Sequence, residues 1–348
     1  MHSYGLLSNA FVPSDKIREL RSYIRHRLNL EDTKMSCIHR MHKALDMMNL
    51  KVHYHITDMV GVVGLQILRA IADGQTDANN LSEFHVKQMK ASKEELRKSL
   101  EGNYRSEHVF ALKQCLSAFD FYESQIVECD QQIEQVLLLL TEGFIPPTNE
   151  NENQEGSHIE ENDSSDLWHR PKKYARKNNY RFDVKSYLKE LVGVDLTQVD
   201  GLQENTILTI IAETGLDYSK WKTAKHFTSW LRLAPQPKVS GGKTRGHFST
   251  QTNNRANKAF RLAAWAVKAS KSALGAFYRK IRAKKGAPHA IKATARKIAT
   301  IFFHMMTAKQ EFVKQSAEEF EEKYQQYQLN LLTKKATKLG FVLQKMDD

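Results

Sequence analysis

One serine in the sequence has neighbours that could hold or react with a phosphate. Ser240 is flanked within five residues by two glycines and three cations, which are Lys238, Gly241, Gly242, Lys243 and Arg245. Adjacent glycines accept positive φ angles and let the backbone approach a ligand closely. Lysine and arginine hold phosphate through charge-assisted hydrogen bonds. The segment therefore predicts a phosphate-binding turn between two helical segments.

The chemistry of Ser240 has two interpretations when only the residues are considered. A serine hydroxyl is a poor nucleophile until a base or nearby cations lower its pKa. The three cations could also stabilise the extra negative charge of a pentacoordinate phosphorus. In the first, Ser240 attacks phosphorus. In the second, Ser240 has no covalent role, and the Ser-Gly-Gly turn either binds phosphate or is only a loop between helices.

Positive charge is concentrated around this serine. The interval from Arg232 to Thr300 holds seventeen Lys or Arg and no Asp or Glu, whereas the whole chain carries a net charge of +12. Such a focused basic region predicts a polyanionic partner, with nucleic acid as the first candidate. Three of these cations recur on adjacent turns of the next predicted helix and are expected to contact the same backbone: Arg255, Lys258 and Arg261.

Several classes of protein are disfavoured. No apolar run, Val136 to Leu140 included, approaches the roughly eighteen residues that a membrane helix needs. No basic segment leads into an apolar one at the start, so no signal peptide is expected. Three scattered cysteines fit a reducing cytoplasm rather than a disulfide framework. Histidine is abundant, but no His-Glu-x-x-His or Cys-x-x-Cys pattern predicts a metal site.

Apolar residues recur at three- and four-residue steps, which predicts a mainly α protein. Residues 14–50 and about 106–142 read as two long amphipathic helices, with Phe110 in the apolar stripe of the second. The spacing fits a coiled coil or an antiparallel pair. Residues 14–143 are therefore predicted to form a helical arm that joins protomers. Its outer basic residues, Arg27 among them, are interpreted either as solvated or as facing nucleic acid.

Two glycine turns, at Gly61 and Gly201, each precede a short apolar helix. They resemble helix-hairpin-helix elements, in which turn amides face a phosphate, although a plain packing turn remains an alternative. Between the long helices, Ser92 and Glu95 have the spacing of a capping box and predict the start of another short helix.

Residues 144–182 are predicted to be a disordered linker. Seven acids and no Lys or Arg lie between Glu150 and Asp166, a composition that cannot bury enough apolar surface to order itself. The basic run Arg170 to Lys177 follows. It is interpreted as a strap along phosphates or as the positive end of a self-complementary linker.

Residues 183–310 are predicted to form an ordered C-terminal domain. Within it, one helix is expected from Trp221 to Leu233 and another from Asn253 to about Lys285. A last core helix is expected from His289 to Thr307. Residues 311–348 read as a solvated helical tail.

The order of several motifs resembles the C-terminal domain of insertion-sequence 110 family transposases. These motifs are Val199-Asp-Gly-Leu, Phe227-Thr-Ser-Trp-Leu-Arg-Leu-Ala-Pro, Val239-Ser-Gly-Gly-Lys and Asn257-Lys-Ala-Phe-Arg-Leu-Ala-Ala. The helical arm also looks like the middle region of that family. The combination is specific, although each piece alone is not.

The resemblance implies a DNA recombinase guided by a structured RNA. Ser240 stands where the family has its nucleophile, which attacks a DNA phosphodiester and holds the strand as a phosphoserine. The helical arm would bind the guide RNA and pair protomers. The family enzyme also carries an acidic, Mg²⁺-binding half that ends in an Asp-x-x-Asp pair.

Two departures from the family pattern bear on these expectations. The acidic half should lie directly upstream of a sequence like that at His2, where this chain begins, so residues 1–13 would be the residual end of that domain. The Mg²⁺ ligands are expected to be absent, and the chain alone is expected to be inactive. In addition, Gln203 stands where the family turn usually has a glycine.

Two other classes of function remain as alternatives. One is a non-catalytic DNA- or RNA-binding protein that uses the same basic surface. The other is a structural coiled-coil adaptor, which would show no salt-dependent affinity for nucleic acid.

Overall fold

The computed structural model describes residues 13–144, 178–248, 254–312 and 317–342. These residues form helices throughout and one two-stranded sheet, which confirms the prediction of a mainly α protein. In chain order the helices are α1 Asp15–Met47, α2 Val62–Ala72, α3 Ala78–Ser82, α4 Lys93–Ser99, α5 Ser106–Leu140, α6 Val184–Val192, α7 Glu204–Thr214, α8 Ala224–Trp230, α9 Arg255–Ala266, α10 Ala273–Lys285, α11 Ala287–Ala308 and α12 Ala317–Lys338. The strands, β1 Gln236–Ser240 and β2 Lys243–Phe248, lie between α8 and α9.

The chain divides into two compact units. The arm unit comprises Ser22–Glu134, and the hairpin unit comprises Met1–Arg21 with Gln135–Asp348. Helices α1 and α5 contribute residues to both units. The domain boundaries expected from the sequence (14–143 and 183–310) remain a prediction.

In the arm unit, α1 and α5 run antiparallel. Arg27 Nε lies 2.5 Å from Asp130 Oδ1, and Lys34 Nζ lies 2.8 Å from Glu123 Oε1. Lys34 follows Arg27 on α1, whereas its partner Glu123 precedes Asp130 on α5 by the same number of residues. The two helices therefore run in opposite directions. This arrangement is one of the two that the apolar spacing allowed. The capping box predicted at Ser92 is confirmed, because its hydroxyl and the Glu95 carboxylate each satisfy a backbone amide at the start of α4.

Two expectations for the arm are wrong at the level of single residues. Arg27 does not decorate an outer face, because its side chain is only 3% exposed and also contacts Glu31 at 2.6 Å. Phe110 does not join the apolar stripe of α5, since 64% of its surface is exposed. The physical reason in both cases is the angular position of α5 against α1, which depends on packing rather than on spacing within one helix.

The core of the hairpin unit is aromatic. The Tyr218 ring lies 5.4 Å from that of Phe227 and 5.9 Å from that of Phe302, and Phe260 lies 5.5 Å from Phe302. These rings come from α8, α9, α11 and the segment before α8, so a single cluster joins α11 to the two helices that flank the β-hairpin in the chain. Edge-to-face ring pairs add specific geometry to apolar burial.

Gly201 brings the turn before α7 against α9. Its φ is +86°, and a Cβ at this position would lie 2.4 Å from the Ala263 carbonyl oxygen. Only glycine tolerates both conditions. As predicted, a glycine turn precedes a short apolar helix at both positions: Gly201 lies before α7, and Gly61 is the N-cap of α2. The resemblance to a helix-hairpin-helix remains a prediction.

Two helices predicted in the hairpin unit have different bounds. The expected helix from Trp221 to Leu233 is shorter, since α8 begins only after the Thr223 side chain caps it. The single helix expected from Asn253 to Lys285 is broken into α9 and α10. The break arises because the Ser272 hydroxyl caps a new helix and Gly275 approaches the Ser270 carbonyl too closely for any Cβ. A hydroxyl cap inside an apolar periodic pattern is difficult to recognise from sequence.

No helix among the described residues is both long and apolar enough to cross a membrane. Most of the predicted linker, 144–182, lies outside the described residues, as does the basic run Arg170 to Lys177. In the predicted tail, α12 lies beside α10.

Candidate functional site

Ser240 is the last residue of β1 in an antiparallel hairpin. The two-residue turn consists of Gly241 at φ +57° and Gly242 at φ +71°, after which Lys243 begins β2. Positive φ at both central positions is the signature of a type I′ turn, which matches the twist of paired strands. The glycine turn was predicted, but the strands on either side of it were not.

The pairing of the strands puts two lysines on the same side of the hairpin as Ser240. Ser240 pairs directly with Lys243, and cross-strand partners share a face. Lys238 lies two residues before Ser240, and alternate residues of a strand also share a face. Val239 points to the opposite face and is 59% exposed. The hairpin therefore carries a cationic face that contains the serine.

Arg245 lies at an irregularity of the hairpin. Val239 pairs with Thr244 while Lys238 pairs with Gly246, so Arg245 is an extra residue on β2. Such a β-bulge bends the strand and redirects the side chain locally. Lys238, Ser240, Lys243 and Arg245 are all exposed, so the four predicted polar residues of the turn lie on an accessible surface.

The segment that leads into the hairpin is tied to α9 by a residue that was not singled out from the sequence. Asn257 is 4% exposed, and its side-chain amide donates a 2.7 Å hydrogen bond to the Leu231 carbonyl oxygen at the end of α8. Arg232 then adopts φ +59°, and the Leu233 amide donates back to Thr228. A buried polar side chain in a helix interior is the signal that could have identified Asn257.

Helix α9 carries the second group of predicted residues. Lys258 and Arg261 are exposed and Arg255 is partly exposed, while the opposite side of the helix buries Ala256, Phe260 and similar residues. At about 100° per residue, Arg255, Lys258 and Arg261 fall within about a third of the circumference of the helix. The structure thus divides the predicted site residues between the hairpin and the outer face of α9.

Cations from α11 add to the basic surface near α9. Burial and the charge of Arg261 lower the pKa of Lys292, which indicates that the two side chains are near each other. Burial also lowers the pKa of Lys297, whose ammonium group lies 4.8 Å from the centre of the Phe277 ring. Because no acid occurs between Arg232 and Thr300, this charge is not neutralised within the segment.

A hairpin with a serine among lysines, followed in the chain by a helix with an outward basic face, is suited to hold a nucleic-acid backbone. Residues 195–279, which contain both elements, match the model of the Transposase IS116/IS110/IS902 family. The match identifies this segment as a DNA transposase domain and confirms the resemblance to insertion-sequence 110 transposases. No curated protein sequence matches the chain.

Transposases of this family usually need a divalent metal. Among the parts of the chain that the structure describes, no three His, Cys, Asp or Glu side chains come together in a way that could hold a metal. The acid-free interval around Ser240 offers no carboxylate ligand, and Mg²⁺ prefers oxygen ligands. The residues around Ser240 therefore do not fit a divalent metal.

Proposed function

We propose that this protein transfers DNA strands during transposition, with Ser240 as the nucleophile. The Ser240 Oγ attacks a DNA phosphorus, the Oγ–P bond forms, and one P–O bond to deoxyribose breaks. The Oγ proton leaves to solvent, and the released deoxyribose oxygen takes up a proton. The reverse attack by a hydroxyl of the new strand frees Ser240 and joins the DNA, so the number of phosphodiester bonds is unchanged.

The observation that carries this proposal is the shared face of Ser240, Lys238 and Lys243. Two ammonium groups beside an exposed hydroxyl favour the negative charge that develops on phosphorus and on the attacking oxygen. The type I′ turn at Gly241 and Gly242 keeps the hairpin tip free of Cβ atoms, so a backbone as bulky as DNA can approach closely. The phosphates on either side of the reacting one would be bound by the cations of the hairpin and of α9, which are Lys238, Lys243, Arg245, Arg255, Lys258 and Arg261.

Guidance by a structured RNA and pairing of protomers through the arm belong to the same proposal. On α1, Arg40 and Lys43 are exposed and could contact RNA phosphates. On α5, Phe110 and Phe121 are 64% and 57% exposed, and apolar exposure on a helix suits a contact with another protomer. Mg²⁺ would belong to the complete family enzyme, and no metal is proposed for this chain alone.

The experiment compares Ser240→Ala with Ser229→Ala, an exposed serine of α8 outside the hairpin. Strand joining is measured on a plasmid that carries the element ends. The acidic half of a family transposase is added, because the chain alone is expected to be inactive. DNA binding is measured over a range of salt concentrations. We expect Ser240→Ala to abolish joining while its affinity and salt slope match the parent, because the hydroxyl contributes no charge. Ser229→Ala should resemble the parent in both assays.

Joining by Ser240→Ala at the rate of the parent would refute the nucleophile. A non-catalytic nucleic-acid-binding protein is the alternative, and it predicts salt-dependent binding with no joining by parent or variant. Binding is tested separately with Lys243→Ala, which should reduce the slope of log K against log salt by about one if Lys243 contacts a phosphate. Lys225→Ala, an exposed cation on α8, is the matched control.

A further inference from the structure

Helix α9 exposes two large apolar side chains in the middle of its basic face. Trp265 is 46% exposed and Leu262 is 57% exposed. At about 100° per residue, both fall in the same third of the helix as Lys258 and Arg261. Neither residue was singled out from the sequence, and neither is needed for the core, which takes the opposite side of α9.

Trp265 is held in a defined environment. The Lys268 ammonium group lies 4.1 Å from the centre of the Trp265 ring, so a cation covers one face of the indole. Cation–π contacts favour tryptophan, and they orient the ring at a modest gain in free energy. Lys268 lies in a short 3-10 turn that follows α9. The carbonyl oxygen of Lys268 accepts a hydrogen bond from the Arg279 side chain. The indole is therefore oriented by Lys268, and a second cation, Arg279, contacts the backbone of the same turn.

We infer that the face formed by Leu262, Trp265 and Lys268 binds an unpaired base of the DNA substrate. A flat aromatic ring set among cations matches a nucleotide, which offers a π face and a phosphate together, whereas paired bases in a duplex keep their faces covered. The base stacks on the indole face that Lys268 covers, and the displaced ammonium group binds the adjacent phosphate. Leu262 packs beside the base and favours the opened strand.

The charge of the segment determines which partner suits this face. An apolar pair on a helix could also contact a second copy of the chain, but the surrounding interval from Arg232 to Thr300 carries only positive charge. Two such faces would repel each other, whereas DNA is complementary to both the cations and the ring. This inference rests on the proposed function, because it assigns the form of DNA that the same basic surface accepts.

The experiment measures the affinity of the full chain for two DNA probes of the same length and sequence. One is a perfect duplex, and the other has a central stretch of unpaired bases. Trp265→Ala should bind the unpaired probe about tenfold more weakly, since base–aromatic stacking contributes that order of affinity, and should bind the duplex within about twofold of the parent. Trp265→Phe keeps an aromatic face and should recover most of the loss.

The control is Tyr54→Ala, which removes an exposed aromatic side chain from the arm unit and should change neither affinity. Equal losses on both probes, or no loss on either, would overturn the inference. So would a change in oligomeric state of Trp265→Ala, or Trp265-dependent binding that is tighter for an RNA of the same sequence.

Failure of the proposed function gives a different pattern. If Arg261→Ala leaves duplex binding unchanged and binding shows no salt dependence, the basic surface does not hold a DNA backbone. Trp265→Ala on the unpaired probe tests base stacking alone, so its result does not depend on the outcome for Arg261→Ala.

Discussion

Gly201 has a backbone angle and a close contact that alanine could not adopt without a loss of stability. Replacing it with alanine forces a Cβ onto a residue at φ +86° and sets that Cβ 2.4 Å from the Ala263 carbonyl oxygen and 2.8 Å from Val267 Cγ1. The left-handed conformation costs a non-glycine residue about 1–2 kcal/mol. Overpacking against backbone adds about 1–3 kcal/mol. We expect Gly201→Ala to destabilise the hairpin unit by about 2–5 kcal/mol.

A matched control separates the two costs. Gly193 ends α6 at φ +80°, nearly the same angle, yet a Cβ there would meet nothing within 4 Å. Gly193→Ala should therefore lose only the conformational part, about 1–2 kcal/mol. The difference between the two variants measures the close approach of the turn to α9.

Tryptophan fluorescence during denaturant unfolding is a suitable assay. Trp221, Trp230 and Trp265 belong to the hairpin unit, and the sequence has no tryptophan within Ser22–Glu134, so the signal does not report on the arm unit. Equal losses of stability in Gly201→Ala and Gly193→Ala would refute the contact between the turn and Ala263.

Two further predictions concern the arm unit. Asp130→Ala leaves Arg27 buried without its closest carboxylate and should destabilise the arm by about 3–5 kcal/mol. The control Asp120→Ala removes an exposed ion pair with Arg69 and should cost less than about 1 kcal/mol. Similar losses of stability for the two variants in chemical denaturation would contradict the buried pair. Burial raises the pKa of Cys129 to about 11, so the native thiol is about 0.1% thiolate at pH 8 and should react with iodoacetamide far more slowly than after unfolding. Cys115, which is partly exposed, should react sooner, and mass spectrometry showing Cys129 modified first would refute its burial.

The helices could be predicted wherever one amphipathic face meets the core. The capping box at Ser92, the glycine turns at Gly61 and Gly201 and the extent of both long helices follow from local spacing and local hydrogen bonds. The break between α9 and α10 could not be predicted, because it depends on the Ser272 hydroxyl and on how closely Gly275 approaches Ser270. Those contacts exist only after the helices pack.

The candidate site was predicted by residue type but not by arrangement. The cations near Ser240 were evident, yet the common face of Lys238, Ser240 and Lys243 depends on strand pairing that was not anticipated. Two adjacent glycines between short runs are a hairpin signal that could have been used. Arg27 was misassigned to the surface, because its partner Asp130 is about a hundred residues away in the chain and no local pattern connects them.

The most direct test of Ser240 as nucleophile is the identity of the residue that becomes linked to DNA. The protein is incubated with a DNA substrate nicked near the element end, so that a fragment diffuses away and the covalent intermediate accumulates. Digestion and mass spectrometry then locate the attached nucleotide. Attachment to Ser240, lost in Ser240→Ala and retained in Ser229→Ala, is the expected result. An adduct at another residue, or no adduct under conditions in which the parent joins DNA, would contradict it.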